Sequence, residues 1–293
     1  MDGVIVVDKA AGWTSHDVVA RFRRIARTQR VGHLGTLDPI ATGVLPLVVG
    51  RATRLAQFYL RGDKFYEAVV RFGWSTTTYD KAGEPAGEKQ DVQLSAAALE
   101  PLLERFRGES LQAPPPVSAK KIEGKRAYQL ARKNVAVRLE PVRVQIYELT
   151  LEAVEGDRAR LRVHCSGGTY LRSIAHGLGQ ALGCGAHLEE LRRTASSEFG
   201  IAQARTIEQL ELLAADERLF DALIPASTLL PGMPEVYVNE PTIANIRSGR
   251  NFPASPFRGS AASRYVKAVT YGGELVAIGE AVLPNLYHPM VVL

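Results

Sequence analysis

The stretch from residue 32 to residue 46 limits the possible fold of this chain more than any other part of the sequence. It contains three glycines and two prolines, so it forms neither one continuous helix nor one central strand. It also contains five large apolar residues, which is too many for a solvated linker: Leu34, Leu37, Ile40, Val44 and Leu45. We therefore expect an ordered loop that packs against a hydrophobic core.

One carboxylate, Asp38, lies at the centre of this loop between Leu37 and Pro39. A residue before proline is pushed out of the α region, so the backbone at Asp38 is restricted. Such a position is suitable for aiming a reactive carboxylate. The ordinary alternative is that Asp38 caps a turn, since Asp-Pro pairs often do so. The local chemistry leaves both interpretations open.

The run Gly35-Thr36-Leu37-Asp38-Pro39, followed by Ala41, Gly43 and Leu45-Pro46, resembles the signature loop of the TruB-type pseudouridine synthases. This family makes pseudouridine 55 in the T loop of tRNA, and its catalytic residue is the aspartate of this run. The resemblance therefore implies that the chain is a tRNA pseudouridine(55) synthase, an isomerase, and that Asp38 is catalytic. It also implies that neither a metal nor a redox cofactor is needed.

The composition is that of a soluble globular protein and excludes several other classes. The 293 residues are 46% hydrophobic and 23% charged, and the net charge of +5 is compatible with a polyanionic partner. The two cysteines, Cys165 and Cys184, lack CxxC spacing, so neither a zinc site nor a disulfide framework is expected. The N-terminus does not have the pattern of a signal peptide, and no segment approaches the roughly 20 apolar residues that span a bilayer. We expect a cytoplasmic protein with no membrane partner.

The length and the pattern of short segments indicate two domains. A Pro-Gly-Met-Pro run at residues 231–234 predicts a boundary, with a catalytic domain over residues 1–232 and a small β domain over residues 235–293. The last part contains three β-rich segments, 236–238, 265–270 and 274–280, and a hairpin turn at residues 271–273. It resembles the PUA-like β domain of many such enzymes. For the catalytic domain, the resemblance implies an α+β fold with a mixed, largely antiparallel sheet and a central cleft.

Periodicity predicts the main elements around the expected site. Residues 4–7 form a buried strand, and Thr14 or Ser15 caps the helix that follows. Residues 142–151 and 158–165 form an antiparallel hairpin, with alternate residues of the second strand facing inward: Ala159, Leu161, Val163 and Cys165. Thr169 is expected to cap a helix that runs to Leu182 and ends at Gly183.

Tyr66 lies in a predicted strand over residues 65–73, and its spacing alone favours a core or edge aromatic. Tyr66, Ala68 and Gly73 match the family's Y-x-A-x-x-x-x-G run. The resemblance implies that Tyr66 stacks on the target uracil and is a candidate for proton transfer. Residues 76–80 resemble a T-D-T-x-D stretch in which Thr77 replaces the first aspartate, and Asp80 matches without an assigned role.

Arg172 would lie in the first turn of the predicted helix, where a cation opposes the helix dipole at a cost of about 0.3–1 kcal/mol. An anionic partner would relieve this cost, and Asp38 is a candidate; the alternative is an arginine that reaches water. The run from Gly168 to Arg172 resembles the family's G-T-Y-[IL]-R segment. That resemblance implies that Arg172 pairs with the catalytic aspartate and that Tyr170 contacts substrate.

Further substrate contacts follow from the resemblance. Leu191 corresponds to a leucine near the uracil, His33 to a residue that helps hold the flipped-out base, and Lys9 to a lysine with a supporting or backbone role. Two arginines at positions 192 and 193 could reach RNA phosphates or be solvated.

An insertion over residues 109–141 carries a cluster of cations, including Lys120, Lys121, Arg126 and Arg132. Basic residues with an aromatic residue among them can bind nucleic acid, although such clusters are often only solvated. The segment resembles the family's insertion that grips the T-arm stem-loop. We therefore expect tRNA as the partner of a monomer that needs no protein partner.

Pseudouridine formation breaks the N1–C1′ bond and rejoins the uracil through C5. A carboxylate can act as a nucleophile toward C1′ or C6, or as a base, and it must be ionised to do so. The target base must leave the stack to be reached. Competing hypotheses are a non-catalytic protein that binds or folds tRNA, an aspartate-dependent hydrolase of a small nucleotide, and an RNA-guided relative that acts on ribosomal RNA.

Overall fold

A computed structural model describes residues 1–117, 140–254 and 263–293, together with the backbone of two short strands, Lys121–Ile122 and Lys125–Arg126. The predicted insertion therefore falls largely outside the described residues. Lys120 and Arg132 lie outside them, and for Lys121 and Arg126 only the antiparallel pairing of the two backbones is described.

The first sheet contains ten strands in the order β14-β1-β3-β12-β4-β11-β10-β7, with β2 paired to β3 and β13 paired to β12. Its strands are β1 (Gly3–Lys9), β2 (Val31–His33), β3 (Thr42–Val49), β4 (Lys64–Phe72), β7 (Gly108–Gln112), β10 (Val142–Glu155), β11 (Arg158–Cys165), β12 (Ala186–Ser196), β13 (Phe199–Gly200) and β14 (Ile224–Pro225). Two further pairs stand apart: β5 (Ser75–Thr76) with β6 (Pro85–Ala86), and β8 (Lys121–Ile122) with β9 (Lys125–Arg126).

The pairings of this sheet are antiparallel except for one parallel contact between β3 and β12. The predicted α+β fold with a mixed, largely antiparallel sheet is therefore confirmed. The parallel contact brings Gly43 against Arg193. A Cβ at position 43 would lie 2.2 Å from the carbonyl oxygen of Arg193, and the backbone φ of +96° also favours glycine.

Five α-helices connect the strands, in the part of the chain that the structure describes: α1 (Ser15–Ile25), α2 (Ala96–Glu104), α3 (Leu171–Leu182), α4 (Ile207–Ala215) and α5 (Glu240–Arg247). Thr14 and Asp17 form a capping box at the start of α1, which confirms one of the two predicted caps. The prediction that Thr169 caps α3 is wrong. Tyr170 occupies that position without a side-chain cap, and Thr169 donates its hydroxyl to the carbonyl of Ser166 instead.

The predicted hairpin is confirmed by the antiparallel pairing of β10 with β11. The inward residues of β11 are buried as alternation requires, whereas its arginines face away from the core. On the other edge of β11, its pairing with β4 sets Val163 opposite Tyr66. This register fixes the position of the start of β4, which forms one wall of the cleft described below.

The second sheet contains five strands in the order β15-β17-β18-β19-β16. They are β15 (Glu235–Val238), β16 (Phe252–Pro253), β17 (Tyr265–Thr270), β18 (Leu275–Leu283) and β19 (Leu286–Val292). The predicted C-terminal β-rich segments and their turn at residues 271–273 are confirmed, with α5 packed against this sheet.

The central strands β1 and β3 are apolar on both faces because both faces are covered. One face packs into the main core with α1 and α3. The other face packs against a 3₁₀ helix (Gly50–Phe58) and against apolar residues of the second sheet: Val269, Leu275, Ile278 and Val291. Full burial of each such side chain contributes about 1.5–3 kcal/mol. Within the described residues, the helices are too short and too polar to cross a bilayer.

Candidate active site

A cleft of about 860 Å³ opens on the first sheet. Its walls are the loop that contains Asp38, the start of β4, the segment that leads into α3, and β12. The start of β10 also lines it, so the cleft collects residues from five separate parts of the chain. Asp38, Tyr66, Tyr170, Arg172 and Leu191 all line it.

The loop that bears Asp38 is fixed from several sides. The Ser15 hydroxyl accepts a hydrogen bond from the backbone N–H of Leu37 at 2.8 Å and donates one to the Leu37 carbonyl at 3.1 Å. The carbonyl of Pro39 accepts a hydrogen bond from the backbone N–H of Gly12 at 2.8 Å. Because both neighbours of Asp38 are tied to the first helix and the turn before it, the carboxylate is held in one direction.

Asp38 forms an ion pair with Arg172 at the base of the cleft. The Nη2 of Arg172 donates to Oδ1 of Asp38 at 3.1 Å, and its Nε lies 2.9 Å from Oδ2. The two residues are 134 positions apart in sequence and meet because the N-terminal end of α3 points at the loop. The Asp38 side chain keeps 35% of its surface exposed, so it remains accessible from the cleft.

A second carboxylate, Asp80, shares the same guanidinium. Its Oδ2 lies 3.5 Å from Nη1 of Arg172, and that nitrogen also donates to the carbonyl of Thr78 at 3.2 Å. The Asp80 carboxylate is buried and accepts hydrogen bonds from the Thr78 hydroxyl and the Ala82 N–H. Two acidic groups therefore depend on one cation.

This arrangement determines the acidity of Asp38. Burial raises the pKa of the Asp38 carboxyl above its usual value, the charge of Arg172 opposes that rise, and Asp80 adds to it. Lys9 exerts a further lowering effect on the pKa of Asp38. The reactive form of the carboxylate thus depends on the cation beside it.

Aromatic and apolar groups form the opposite wall. Tyr66 is buried at the start of β4, and Leu191 is buried on β12. Burial raises the pKa of the Tyr66 phenol, whereas Arg193 lowers it by charge and by a hydrogen bond. Tyr170 stands just before α3, and its backbone N–H and carbonyl are both bonded to the side-chain amide of Gln112 on β7. Together these residues give a surface on which a planar base can stack.

Two buried cations lie near Tyr66, and the sequence analysis did not predict the contacts of either. Arg193 is only 1% exposed and donates to the carbonyls of Val44, Gly35 and Thr36, at 2.7, 3.0 and 3.4 Å. Neither interpretation offered for it from sequence, a phosphate contact or solvation, is correct. Its neighbour Arg192 is half-exposed and pairs with Asp8 at 2.9 Å. The signal for Arg193 was its position two residues after Leu191, which on a strand places both on one face.

Lys64 is the second of these cations. Its ammonium donates to the carbonyl of Gly62 at 2.8 Å, and its side chain lines the cleft. Burial and, to a smaller extent, the charge of Arg193 lower the pKa of Lys64 to about 8. Position 35 favours glycine because its backbone φ is +123°, whereas a Cβ there would make only ordinary contacts with the side chains of Lys64 and Arg193, at 3.5 and 3.6 Å.

The remaining expected residues lie around the cleft but outside its lining. Lys9 is buried and donates to the carbonyls of Trp13 and Ala10, with Pro39 at 3.5 Å. Burial lowers the pKa of Lys9 to about 8, an effect that the charge of Asp38 opposes. His33 stands on β2, paired with Leu47 of β3. Among the described residues, the structure therefore brings five of the seven expected site residues together and places these two behind the loop.

The fold is that of a pseudouridine synthase. The family described as TruB family pseudouridylate synthase (N terminal domain) matches residues 23–171, and the tRNA pseudouridylate synthase B C-terminal domain matches residues 172–231. The chain belongs to the TruB family.

Two relatives illustrate the range of this similarity. The tRNA pseudouridine synthase B of Solibacter usitatus (strain Ellin6076) is 72% identical over 293 residues and covers 100% of both chains. The protein of the same name from Stutzerimonas stutzeri (strain A1501) is 41% identical over 285 residues, which are 96% of this chain and 92% of the relative.

Solved structures show the same fold. The chain superimposes on a crystal structure of a Cbf5-Nop10-Gar1 complex with a TM-score of 0.71 and 29% identity, covering 97% of this chain and 79% of the other. A structure of an H/ACA RNP bound to a substrate RNA containing 2′-deoxyuridine gives a TM-score of 0.74 and 26% identity, covering 99% and 84%.

Proposed function

We propose that this chain isomerises uridine 55 to pseudouridine in the T loop of tRNA. The observation that carries the proposal is the Asp38–Arg172 pair at the base of a cleft lined by Tyr66 and Leu191. The identity of 72% to a tRNA pseudouridine synthase B over the whole chain supports the choice of tRNA.

Asp38 supplies the reactive carboxylate of the proposed reaction. The N1–C1′ bond breaks and a C5–C1′ bond forms, the proton on C5 leaves, and N1 gains a proton. The carboxylate acts on the flipped-out nucleotide as a nucleophile or base and must be ionised, which the guanidinium of Arg172 favours. Asp80 holds the guanidinium from its other side.

Tyr66 and Leu191 hold the uracil in this proposal, with Tyr170 at the rim of the cleft. Because burial raises the pKa of Tyr66, its phenol keeps its proton at neutral pH. Arginine has no acceptor, so Arg193 cannot take that proton and only stabilises the phenolate once it forms. Proton removal from C5 by Tyr66 therefore requires its own proton to leave toward the cleft. His33 and Lys9 support the loop from behind.

The alternatives are less well supported by the site. A protein that only binds or folds tRNA has no use for a buried and a partly buried carboxylate at one arginine, an arrangement that costs free energy to desolvate. A hydrolase of small nucleotides does not need the basic insertion. An RNA-guided relative is represented by the Cbf5 structures, but these are 29% identical or less, against 72% for the tRNA-named relative.

The wider organisation belongs to the same proposal. We assign residues 1–232 to a catalytic domain and residues 235–293 to a PUA-like domain, supported by the family segments that end at residue 231 and the second sheet that begins at Glu235. The free, buried cysteines fit a cytoplasmic protein. We further assign RNA binding to the insertion and a monomeric state to the enzyme.

The charge of the insertion has its own test. Charge reversal at Lys120, Lys121 and Arg126 should weaken the binding of T-arm RNA and flatten its dependence on salt, because fewer counterions are then released. Binding measured across a salt series checks this. An unchanged affinity would remove the insertion from the binding surface.

Mass mapping of pseudouridines in an unmodified tRNA transcript tests the function. We expect one new pseudouridine, at position 55, after incubation with the protein. The control is the same transcript with cytidine at position 55, which should stay unmodified. A transcript without pseudouridine, or with pseudouridine only elsewhere, contradicts the proposal.

A further inference from the structure

One face of α3 is turned toward the segment of residues 76–80. Arg172 and His176 are four residues apart on this helix, so they lie one turn apart on the same face. Arg172 contacts the carbonyl of Thr78 and the carboxylate of Asp80. The residue between those two, Tyr79, contacts His176. Three successive residues of the segment therefore contact two successive positions on one helix face.

The contact between Tyr79 and His176 is a parallel ring stack. The ring centroids are 3.7 Å apart, and the two planes are inclined by 8°. Tyr79 adopts a left-handed backbone with a φ of +64°, a conformation that side chains with a Cβ rarely accept. Such strain persists only where the surroundings determine it, and it concentrates near functional sites.

The His176 ring stacks on Tyr79 and also contacts a residue of its own helix. Its Nε2 lies 2.9 Å from the amide nitrogen of Gln180, one turn further along α3. Its buried Nδ1 has no hydrogen-bond partner within the described part of the chain. Burial lowers the pKa of His176, so the ring is neutral at physiological pH and the stack does not depend on a charge.

We infer that the Tyr79–His176 stack is a positioning clamp that holds Thr78 and Asp80 against Arg172 and so keeps Arg172 aligned on Asp38. This inference rests on the proposed function. The residues of the clamp do not touch the reacting atoms. They act through Arg172, whose guanidinium has contacts with Asp38 on one side and with Thr78 and Asp80 on the other.

The clamp adds to other contacts of the same segment. The backbone of Tyr79 is paired with Leu188 of β12, since the N–H of Leu188 donates to the Tyr79 carbonyl at 2.9 Å. These bonds fix the segment to the sheet but not to α3. Between the segment and this face of α3, the ring stack lies directly beside the Arg172 contacts. Small displacements of a reacting group reduce rates strongly. Loss of the ring stack should therefore slow the chemical step.

Single-turnover kinetics with T-arm RNA at saturating enzyme test the clamp. Tyr79→Gly removes the ring and also relieves the left-handed backbone, so the protein should fold as well as the original. We expect the rate of the chemical step to fall about tenfold, with an unchanged Kd for RNA. Tyr79→Phe keeps the stack and should restore the rate. Glu217→Gly is the matched control, because Glu217 is exposed and has a similar backbone φ of +58°.

A double-mutant cycle separates the clamp from a general structural role. If Tyr79 acts through the Asp80–Arg172 contact, Tyr79→Gly should cost much less in an Asp80→Asn background than in the original protein. His176→Ala should reproduce the loss, and His176→Phe should reverse most of it.

Two results overturn the inference. The first is an unchanged chemical step in both Tyr79→Gly and His176→Ala. The second is a loss confined to RNA affinity, which would make Tyr79 an RNA contact. If the original protein forms no pseudouridine while it binds T-arm RNA, the proposed function fails, and this inference fails with it.

Discussion

The two sides of the cleft carry charged groups of opposite sign, and these groups have different kinds of partner. On the acidic side, Asp38 and Asp80 share the single guanidinium of Arg172. On the cationic side, around Tyr66, Lys64 and Arg193 form no ion pair with any described carboxylate and donate to backbone carbonyls instead. The acidic side therefore holds the carboxylate that we propose as the reactive group, whereas Arg193 on the other side holds the backbone of the loop that carries it.

This difference predicts that removing the cation of the acidic side slows the chemical step. Arg172→Met leaves the buried carboxylate of Asp80 and the partly exposed carboxylate of Asp38 without their shared cation. Breaking a fully buried pair costs about 3–5 kcal/mol, and the exposure of Asp38 reduces its share of that cost. We expect the chemical step to slow by at least about a hundredfold. The pKa of Asp38 should rise further, because Arg172 opposes the effect of burial, so the acid limb of the pH–rate profile should move to higher pH.

The pH–rate profile of single turnovers checks the Arg172 prediction. Arg218→Met, in an exposed pair with Asp221, should leave both the rate and the profile unchanged. An Arg172→Met enzyme with the original profile would show that the acidic side does not depend on its cation.

Asp80→Asn should reduce the rate less than Arg172→Met does, and it should shift the acid limb of the pH–rate profile in the opposite direction. Asp80 raises the pKa of Asp38, so its neutralisation should lower that pKa and move the acid limb to lower pH. The maximal rate should fall about tenfold because the guanidinium loses one of its two anchors. The same pH series measures both effects. A shift of the limb to higher pH would mean that Asp80 acts mainly by orienting Arg172.

Arg193→Met tests the cationic side, where we expect loss of stability. The substitution leaves the carbonyls of Gly35, Thr36 and Val44 without their donor, and the loss at the buried Val44 carbonyl alone should cost about 1–3 kcal/mol because water cannot reach it. Urea unfolding measures the change. Arg192→Met is the matched control, because its half-exposed pair with Asp8 should contribute about 0–1 kcal/mol. Equal losses in the two variants would refute the distinction.

Lys64→Met should have the smallest effect of these substitutions. Its effect on the free energy of unfolding should depend on pH. The pKa of Lys64 is about 8 in the folded state and 10.5 in its usual state, so the unfolded chain binds more protons between these values. Stability of the original protein should therefore rise with pH above about 8 by roughly 1–3 kcal/mol from this group. The variant lacks this group. Its unfolding free energy minus that of the original protein should therefore fall between pH 7 and pH 9.5. A constant difference would mean that Lys64 is not buried as a cation.

The elements of the fold followed largely from local patterns. The continuous apolar run of β1, the alternation in β11 and the capping residue Thr14 each identify an element because burial and hydrogen bonding act within a few residues. The cap of α3 did not follow, because Gln112 of β7 binds the backbone of Tyr170 and makes a side-chain cap unnecessary. A contact across 58 residues leaves no local signal.

Site residues could be predicted from the sequence only where they belong to a segment that matches a family motif. The loop around Asp38 and the segment before Arg172 could be matched to the family, and the structure places them in contact. The role of Arg193 was missed because arginine is rarely fully buried, although its spacing from Leu191 places both residues on one face of β12. The ring stack of Tyr79 and His176 joins residues 97 positions apart; Tyr79 occupies the unspecified position of the T-D-T-x-D stretch, and His176 belongs to no matched motif.

The central claim is that the Asp38 carboxylate drives the isomerisation. Tritium release from 5-tritiated uridine in T-arm RNA measures this directly, because the C5 proton must leave. Asp38→Asn keeps the size of the side chain and removes its charge. We predict no release above background with this variant, while its affinity for the RNA stays within about twofold of the original. Sustained release by Asp38→Asn would contradict the account.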